Sequence, residues 1–259
     1  MTTPGTLLLV PNALDLGAAE GEAPDLRDVL PDGVIRRAAA LRHWAAEDAR
    51  TTRAFLKRVT AVHPLALPLQ QIDIRELPRP QKGRPAGAGA SETDAEWEAL
   101  LSPALAGQGL GLISEAGLPA VADPGARLVA AAHRLGVPVL PLPGPTSLAL
   151  ALAASGLNGQ SFAFVGYLPQ EAAARTVRIK ELEATSRRLQ QAQIVIETPY
   201  RNAALLAALL AALSPTTRLS ISCGLTLPQG WSRADAVAGW RQRPVEMPGK
   251  WPAVFVVQG

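Results

Sequence analysis

The sequence predicts an α/β protein of two lobes, with a mostly parallel five-stranded sheet in the first and a mixed α/β sheet in the second. Short apolar runs alternate with helical patterns through the first half, as expected for strands joined by crossover helices. A second alternating set begins near residue 158, which predicts domains at 1–157 and 158–259. The 259 residues, 48% of them hydrophobic, are enough for two cores.

The first lobe is expected to contain five strands and three helices. The strands are predicted at 6–10, 33–36, 61–67, 110–114 and 137–142. The helices are predicted at 47–59, at 126–135 and in the apolar stretch that ends at Ser155. Asp123 is expected to cap the second helix, with Pro124 at its first position.

The second lobe is expected to contain four strands, at 161–165, 193–197, 219–225 and 253–257. A long polar helix is predicted at 171–191. A second helix at 202–213 is apolar on nearly every side, which predicts either full burial or a partly intersubunit surface. Proline and glycine between 77 and 91 predict a surface loop. Its cations are either solvated or in contact with a substrate: Arg79, Lys82 and Arg84.

The composition excludes several classes of protein. No run of about 18 uncharged apolar residues predicts a membrane span, and the N-terminus lacks the charged start of a secretory signal. The single cysteine, Cys223, is expected to be a buried hydrophobe. His43, His63 and His133 are too scattered for a metal site, so we expect no metal. The cytoplasm is the expected compartment.

Charge is uneven along the chain. Residues 1–157 carry 14 basic and 16 acidic side chains, a net charge of −2, and residues 158–259 carry 11 and 6, a net charge of +5. The predicted helix 171–191 contains five cations: Arg175, Arg178, Lys180, Arg187 and Arg188. They either grip a polyanion or form a solvated face, partly paired with Glu181 and Glu183.

Three loops follow predicted strands at 10–14, 113–125 and 141–147, where open parallel sheets bind ligands. Gly117 and Pro119 predict a tight turn that leaves backbone groups open to a ligand. Glu115 would either accept a hydrogen bond from a ligand or pair with an arginine. In the third loop, Gly144 permits close approach, and the helix capped by Thr146 or Ser147 either attracts an anion or is a well-capped core helix. None of the loops matches the GxGxxG dinucleotide motif.

The second and third loops resemble those of the tetrapyrrole methylase superfamily. The resembling segments are Ser-Glu-Ala-Gly-Leu-Pro-Ala-Val-Ala-Asp-Pro-Gly at 114–125 and Pro-Leu-Pro-Gly-Pro-Thr-Ser at 141–147. Within it, the chain is most similar to the ribosomal RNA small subunit methyltransferase I branch. Ala-Glu-Asp-Ala-Arg at 46–50, Phe-Val-Gly-Tyr-Leu-Pro at 164–169 and Ile-Glu-Thr-Pro-Tyr-Arg at 196–201 resemble motifs of that branch.

The resemblance identifies the chain as a divergent member of that branch. Its first loop lacks an early glycine, Glu115 replaces an aspartate, Tyr200 replaces a histidine, and the proline-glycine loop replaces a branch motif. The differences at Tyr200 and in that loop leave the methyl acceptor open.

The resemblance implies a two-lobed tetrapyrrole-methylase-like fold, a homodimer, and S-adenosylmethionine bound in the cleft between the lobes. It assigns cofactor contacts to residues of loops and strand ends. They are Pro11, Ser114, Glu115, Ala116, Gly117, Pro119, Pro143, Gly144, Pro145, Thr146, Ser147, Val165, Glu197, Leu225, Thr226, Pro252 and Ala253.

Methyl transfer from a sulfonium is a direct displacement, so the protein mainly positions the reactants and the acceptor must lose its proton. For a ribose hydroxyl, the candidate bases are Asp48, Glu47 and Glu197, while Arg50 or Arg201 would hold a phosphate. Alternatively, residues 47–50 only cap a helix and form an ion pair.

Three functions remain open. The first is 2′-O-methylation of ribosomal or related RNA, which the resemblance favours. The second is methylation of a tetrapyrrole or other small molecule, for which Tyr200, Trp231, Trp240 and Trp251 would line an apolar cleft. The third is cofactor binding without catalysis.

Overall fold

The computed structural model describes residues 3–16, 23–78 and 90–259, with side chains from residue 94 onward in the last stretch. The chain forms two compact units. The first contains Met1–Ala13 and Asp25–Pro145, and the second contains Leu14–Pro24 and Thr146–Gly259. The apolar helix that begins at Ser147 therefore lies in the second unit, and the predicted domain boundary after residue 157 stays a prediction.

The first unit is built on a parallel sheet of five strands. They are β1 (Leu7–Leu9), β2 (His43–Ala46), β3 (Asp73–Glu76), β4 (Leu110–Ile113) and β5 (Val139–Pro141). Their order is β3-β2-β4-β1-β5, and every neighbouring pair is parallel. Strands β1 and β4 lie inside the sheet, so the loops that follow them leave the same edge side by side.

In the described part of the first unit, six α-helices accompany this sheet. They are α1 (Leu26–Val29), α2 (Asp32–Ala40), α3 (Ala49–Thr60), α4 (Ala90–Leu100), α5 (Ser102–Leu105) and α6 (Ala126–Arg134). One core cluster contains the apolar faces of α2 and α3, and its largest side chains, Trp44 and Phe55, meet edge to face at 6.3 Å. A second cluster packs Trp97, Leu101 and Leu128 on the central strands.

Two of the five strands predicted for this sheet were wrong. Residues 33–36 belong to α2, because the buried residues Val34, Ile35, Ala38 and Ala39 recur at helical spacing. Residues 61–67 form turns after α3. The other two strands of the sheet are instead β2 and the polar edge strand β3. The strands predicted at 6–10, 110–114 and 137–142 are confirmed, with ends within two residues.

The second unit contains a mixed five-stranded sheet. Its strands are β6 (Phe162–Gly166), β7 (Ala192–Glu197), β8 (Arg218–Cys223), β9 (Trp231–Ala236) and β10 (Ala253–Gln258). The order is β6-β7-β10-β8-β9. Strands β6 and β7 are parallel, and the other neighbours are antiparallel. The four predicted strands and the mixed sheet are confirmed. The edge strand β9 was missed because half of its residues are Ser, Arg and Asp.

Among the residues that the structure describes in the second unit, four α-helices are present: α7 (Ser147–Ser155), α8 (Ala172–Leu189), α9 (Asn202–Ala212) and α10 (Val237–Gln242). Helix α9, predicted to be buried or intersubunit, buries Leu205, Leu206 and Leu209 against the sheet. Cys223 is buried as predicted, and burial raises the pKa of its thiol to about 11.

No helix within the described ranges is long and apolar enough to cross a membrane. Most of the predicted proline-glycine loop, including Arg79, Lys82 and Arg84, lies outside the described residues.

Candidate functional site

The loop after β4 is held by a side chain from the loop after β1. The buried amide of Asn12 donates from Nδ2 to the carbonyl oxygens of Glu115 (2.9 Å) and Ser114 (3.3 Å). Its Oδ1 accepts from the Ala13 amide at 2.9 Å. The backbones of Asn12 and Gly117 also exchange two hydrogen bonds, of 2.8 and 3.1 Å. These contacts fix the 114–117 segment at the carboxyl edge of the parallel sheet.

Gly117 has a positive φ of 69°, so the predicted tight turn is present. Ser114 is 3% exposed at the end of β4, and its hydroxyl has no hydrogen-bond partner among the described residues. A buried hydroxyl without a partner costs free energy, and a ligand that hydrogen-bonds to it would recover that cost.

Three carboxylates, those of Glu47, Glu115 and Asp123, lie in or beside this loop. Glu47, from the residue after β2, accepts a hydrogen bond from the Glu115 amide through Oε2 at 3.1 Å. Burial, with repulsion from the Glu47 and Glu115 carboxylates, raises the pKa of Asp123 to about 7. Asp123 therefore changes charge near neutral pH, as a general acid or base requires.

The predicted capping role of Asp123 is wrong. Helix α6 begins at Ala126, and its N-cap residue is Gly125, whose φ of 128° is a conformation that residues with a side chain rarely adopt. Asp123 and Pro124 precede this turn, so the carboxylate is available for another role.

Asp48 is the N-cap of α3. Its Oδ1 accepts from the Thr51 amide at 2.7 Å, and its carbonyl accepts from the Thr51 and Thr52 hydroxyls. Arg50 is exposed in the first turn of the same helix. The capping alternative for residues 47–50 is therefore present, and the catalytic roles of Asp48 and Arg50 stay predictions.

Glu197 is the last residue of β7, and its buried carboxylate is hydrogen-bonded to neighbouring residues. Its side chain is 4% exposed, and its Oε1 accepts from the Thr198 amide at 2.7 Å. The same oxygen accepts from Arg201 Nη2 at 2.7 Å and Nε at 3.0 Å. The pair fixes the Arg201 guanidinium, which lies 5.5 Å from the centre of the Tyr200 ring. The catalytic and cofactor-binding roles of Glu197 stay predictions.

The other predicted cofactor residues divide between the two units. Pro11, Ala116, Pro119, Pro143, Gly144 and Pro145 belong to the first unit. A side chain at Gly144 would overlap the ring of buried Pro11, so Gly144 permits the close approach that was predicted. Thr146, Ser147, Val165, Leu225, Thr226, Pro252 and Ala253 belong to the second.

Helix α7 begins at Ser147 with Thr146 in the N-cap position, as predicted. Within the described chain the Thr146 side chain makes no capping hydrogen bond. Thr226 has a positive φ of 69°. These positions neither confirm nor contradict the predicted cofactor contacts.

Sequence reasoning did not assign Asn12 to the site, although it lay in the first loop. The sequence shows only a short polar residue that follows a buried strand and Pro11. The hydrogen-bond partners of Asn12 are about a hundred residues away along the chain, so they leave no local pattern. None of the described residues form a group of three or more His, Cys, Asp or Glu side chains that would hold a metal ion.

The sequence of the chain, including the loops at the carboxyl edge of its parallel sheet, matches a known protein family. The family model of the Tetrapyrrole (Corrin/Porphyrin) Methylases matches residues 21–230, which is most of the chain. The chain therefore belongs to this family, as its loops indicated.

Curated relatives place the chain more narrowly. It is 46% identical over 107 residues to the ribosomal RNA small subunit methyltransferase I of Micromonospora olivasterospora, covering 41% of this chain and 33% of that protein. It is 32% identical over 189 residues to the protein of the same name from Xylella fastidiosa, covering 73% and 58%. The chain thus spans about a third to three-fifths of the length of these relatives. The similarity confirms the resemblance to that branch.

Solved structures confirm the fold. A putative cobalamin synthesis related protein from Corynebacterium diphtheriae matches with a TM-score of 0.56 and 13% identity, covering 100% of this chain and 99% of that one. A uroporphyrin-III C-methyltransferase from Thermus thermophilus matches with a TM-score of 0.53 and 18% identity, covering 98% and 97%. The two-lobed tetrapyrrole-methylase-like fold is thus established.

Proposed function

We propose that the protein is an S-adenosylmethionine-dependent methyltransferase that methylates a ribose 2′-hydroxyl of ribosomal or related RNA. The observation that carries the proposal is the similarity to curated ribosomal RNA small subunit methyltransferase I proteins, 46% over 107 residues in one case. Methylation of a tetrapyrrole or another small molecule, and cofactor binding without catalysis, are the outcomes against which it is tested.

The loops of the first unit fit the proposed cofactor. The buried Ser114 hydroxyl offers a hydrogen bond that no described residue takes, and the absence of a side chain at Gly144 lets the third loop pack against Pro11 of the first loop. The 114–117 backbone is fixed by Asn12 before any ligand arrives, which reduces the ordering cost of binding. When bound, S-adenosylmethionine supplies a methyl group on a positively charged sulfur.

The protein's own contribution is to position the acceptor and to take its proton. Asp48 and Glu197 are the carboxylates proposed for the proton. Asp123 joins them, because a carboxylate whose pKa is near 7 is partly deprotonated at neutral pH and accepts a proton more strongly than an ordinary aspartate. Arg50, exposed at the start of α3, is proposed to hold a phosphate of the RNA.

Further assignments belong to the same proposal. They are a homodimer, which the resemblance to the superfamily favours, and a cytoplasmic location. Strand β6 lies at an edge of its sheet, where a second subunit can pair with it. A monomeric mass in solution at micromolar concentration would contradict the dimer.

The proposal is tested by incubating the purified protein with radiolabelled cofactor and fractionated extract from a strain that lacks it. We expect label in RNA, concentrated in the small ribosomal subunit. Label in a small molecule would support the tetrapyrrole alternative. Cofactor binding measured by calorimetry, without transfer to any fraction, would support the non-catalytic alternative.

A further inference from the structure

Two exposed tyrosines follow neighbouring strands of the second unit. Tyr167 comes directly after β6 and is 58% exposed, and Tyr200 comes three residues after β7 and is 74% exposed. Strands β6 and β7 are parallel, with Gly166 in register with Val195. The carboxyl ends of parallel neighbours lie at one edge of a sheet, so both tyrosines belong to segments that leave the same edge.

Tyr200 is oriented by an ion pair beneath it. The Arg201 guanidinium lies 5.5 Å from the ring centre and is itself held by the buried Glu197 carboxylate and by the Thr198 hydroxyl at 3.1 Å. A cation held over one ring face restrains the ring, while most of the side chain stays in solvent. This contact therefore restricts the ring on one face and leaves the rest of it accessible.

Tyr167 is positioned by its chain neighbours. Gly166 has a positive φ of 72°, which turns the chain at the end of β6, and Leu168 is buried in the core of the second unit. The turn at Gly166 and the buried side chain of Leu168 restrict the backbone on both sides of Tyr167. Single exposed aromatic residues are common on protein surfaces, but two restrained rings at one sheet edge form a built feature.

Positive charge lies next to this feature. Helix α8 follows Tyr167 after a short connection, and its first turns carry Arg175 and Arg178. Arg178 is exposed and pairs with Glu181 at 3.1 Å. Over its whole length the helix carries five cations and two acids. Residues 158–259 have a net charge of +5, from 11 basic and 6 acidic side chains. Such a surface attracts a phosphate backbone.

We propose that Tyr167 and Tyr200 form a stacking platform for unpaired bases of single-stranded RNA. Proteins bind single strands by combining cations that follow the backbone with aromatic rings on which bases stack, and both elements are present here. The inference rests on the proposed function in naming RNA, and it adds that the bound segment is unpaired. A planar tetrapyrrole with carboxylate side chains would also suit aromatic rings and cations, so its binding is one outcome of the test. The similarity to curated ribosomal RNA methyltransferases favours RNA.

The test measures binding of a fluorescein-labelled single-stranded RNA 12-mer by anisotropy. We expect Tyr200→Ala and Tyr167→Ala each to weaken binding about 5- to 150-fold, the range for loss of one stacked base. Tyr200→Phe and Tyr167→Phe keep the ring and should bind within about threefold of the parent protein. The dependence of affinity on salt should be unchanged in all four variants, because no charge is removed.

A matched control is Phe162→Ala. Phe162 is an aromatic residue 50% exposed at the opposite, amino end of β6, so its loss should leave RNA binding unchanged. Circular dichroism and thermal unfolding verify that each variant is folded, which the exposure of the altered side chains favours.

The outcomes separate the two proposals. Binding within twofold of the parent in both tyrosine-to-alanine variants, or equal loss in the alanine and phenylalanine variants, would overturn the stacking platform and leave RNA methylation standing. Failure of the parent to bind or methylate any RNA would overturn both. Loss of uroporphyrin binding in Tyr200→Ala, with RNA binding intact, would assign the rings to a small molecule and overturn the inference.

Discussion

The amide of Asn12 donates a 2.9 Å hydrogen bond to the carbonyl of Glu115, joining the loops after two adjacent parallel strands. This bond, with the one to Ser114, determines where the 114–117 backbone lies at the edge of the sheet. The contact is made within the first unit and therefore precedes any ligand.

We expect Asn12→Ala to destabilise the protein by about 1–3 kcal/mol, because buried carbonyl and amide groups lose their partners. Cofactor affinity should fall about tenfold as the loop becomes mobile. Chemical denaturation and calorimetry measure the two effects. Asn12→Asp is a second variant that keeps the acceptor for Ala13 and loses only the donor, so it should weaken binding as well if the donated bonds hold the loop. Wild-type affinity in both variants would show that Asn12 does not organise the loop.

The raised pKa of Asp123 predicts how stability depends on pH. Between about pH 4 and 7 the folded protein holds a proton on Asp123 that the unfolded chain, with a pKa near 3.8, has lost. The free energy of unfolding contributed by this group must therefore fall as pH rises through that window. Asp123→Asn removes this fall. We expect the melting temperature of the variant, relative to the parent, to increase between about pH 5 and pH 8.

A difference in melting temperature that stays constant over this range would show that Asp123 titrates normally. Glu115→Gln gives a second check, because it removes one of the two carboxylates that raise the pKa of Asp123. In that variant the pH dependence should become weaker and move to lower pH.

Glu197→Ala is expected to abolish methyl transfer while leaving cofactor affinity within a few-fold. The same change leaves Arg201 without its carboxylate and should cost about 3 kcal/mol of stability, the lower part of the range for breaking a buried pair. Turnover is therefore measured well below the melting temperature. Arg201→Ala breaks the same pair from the other side and serves as the control for stability. Unchanged turnover in Glu197→Ala would remove this residue from the catalytic candidates.

Gly144→Ala tests the close approach in the third loop. An added methyl group would overlap the Pro11 ring, and overpacking of this kind costs about 1–3 kcal/mol. Chemical denaturation measures the loss. Gly159→Ala is the matched control, since a methyl group there meets no described atom within 4 Å. Equal stability of the two variants would contradict the contact between Gly144 and Pro11.

Much of the fold is predictable because buried strands and amphipathic helices leave local patterns. Strand β7 and helix α9 were found at nearly their observed ends. Strand β3 was not predicted, because an edge strand of Asp, Ile, Arg and Glu has no apolar run. Residues 33–36 were predicted as a strand because Val34 and Ile35 favour strands. In the structure these two residues are buried together with Ala38 and Ala39 on one face of a helix.

The site was harder to predict because its contacts connect distant parts of the chain. The family loops indicated the 114–117 segment, but the role of Asn12 depends on two strands becoming neighbours. Asp123 was predicted to cap the helix because Asp is a favoured N-cap residue and Pro is a favoured first helical residue. The positive φ of Gly125 delays the helix to Ala126, and this conformation cannot be inferred from local propensity alone.

Ribose methylation is tested by transfer of a labelled methyl group to purified small-subunit ribosomal RNA, followed by alkaline hydrolysis. Ribose 2′-O-methylation blocks cleavage at the modified nucleotide. We expect one labelled, alkali-resistant dinucleotide, whose yield falls in the Glu197→Ala variant. Label released as an ordinary mononucleotide, or label absent from RNA and present in a tetrapyrrole, would contradict ribose methylation.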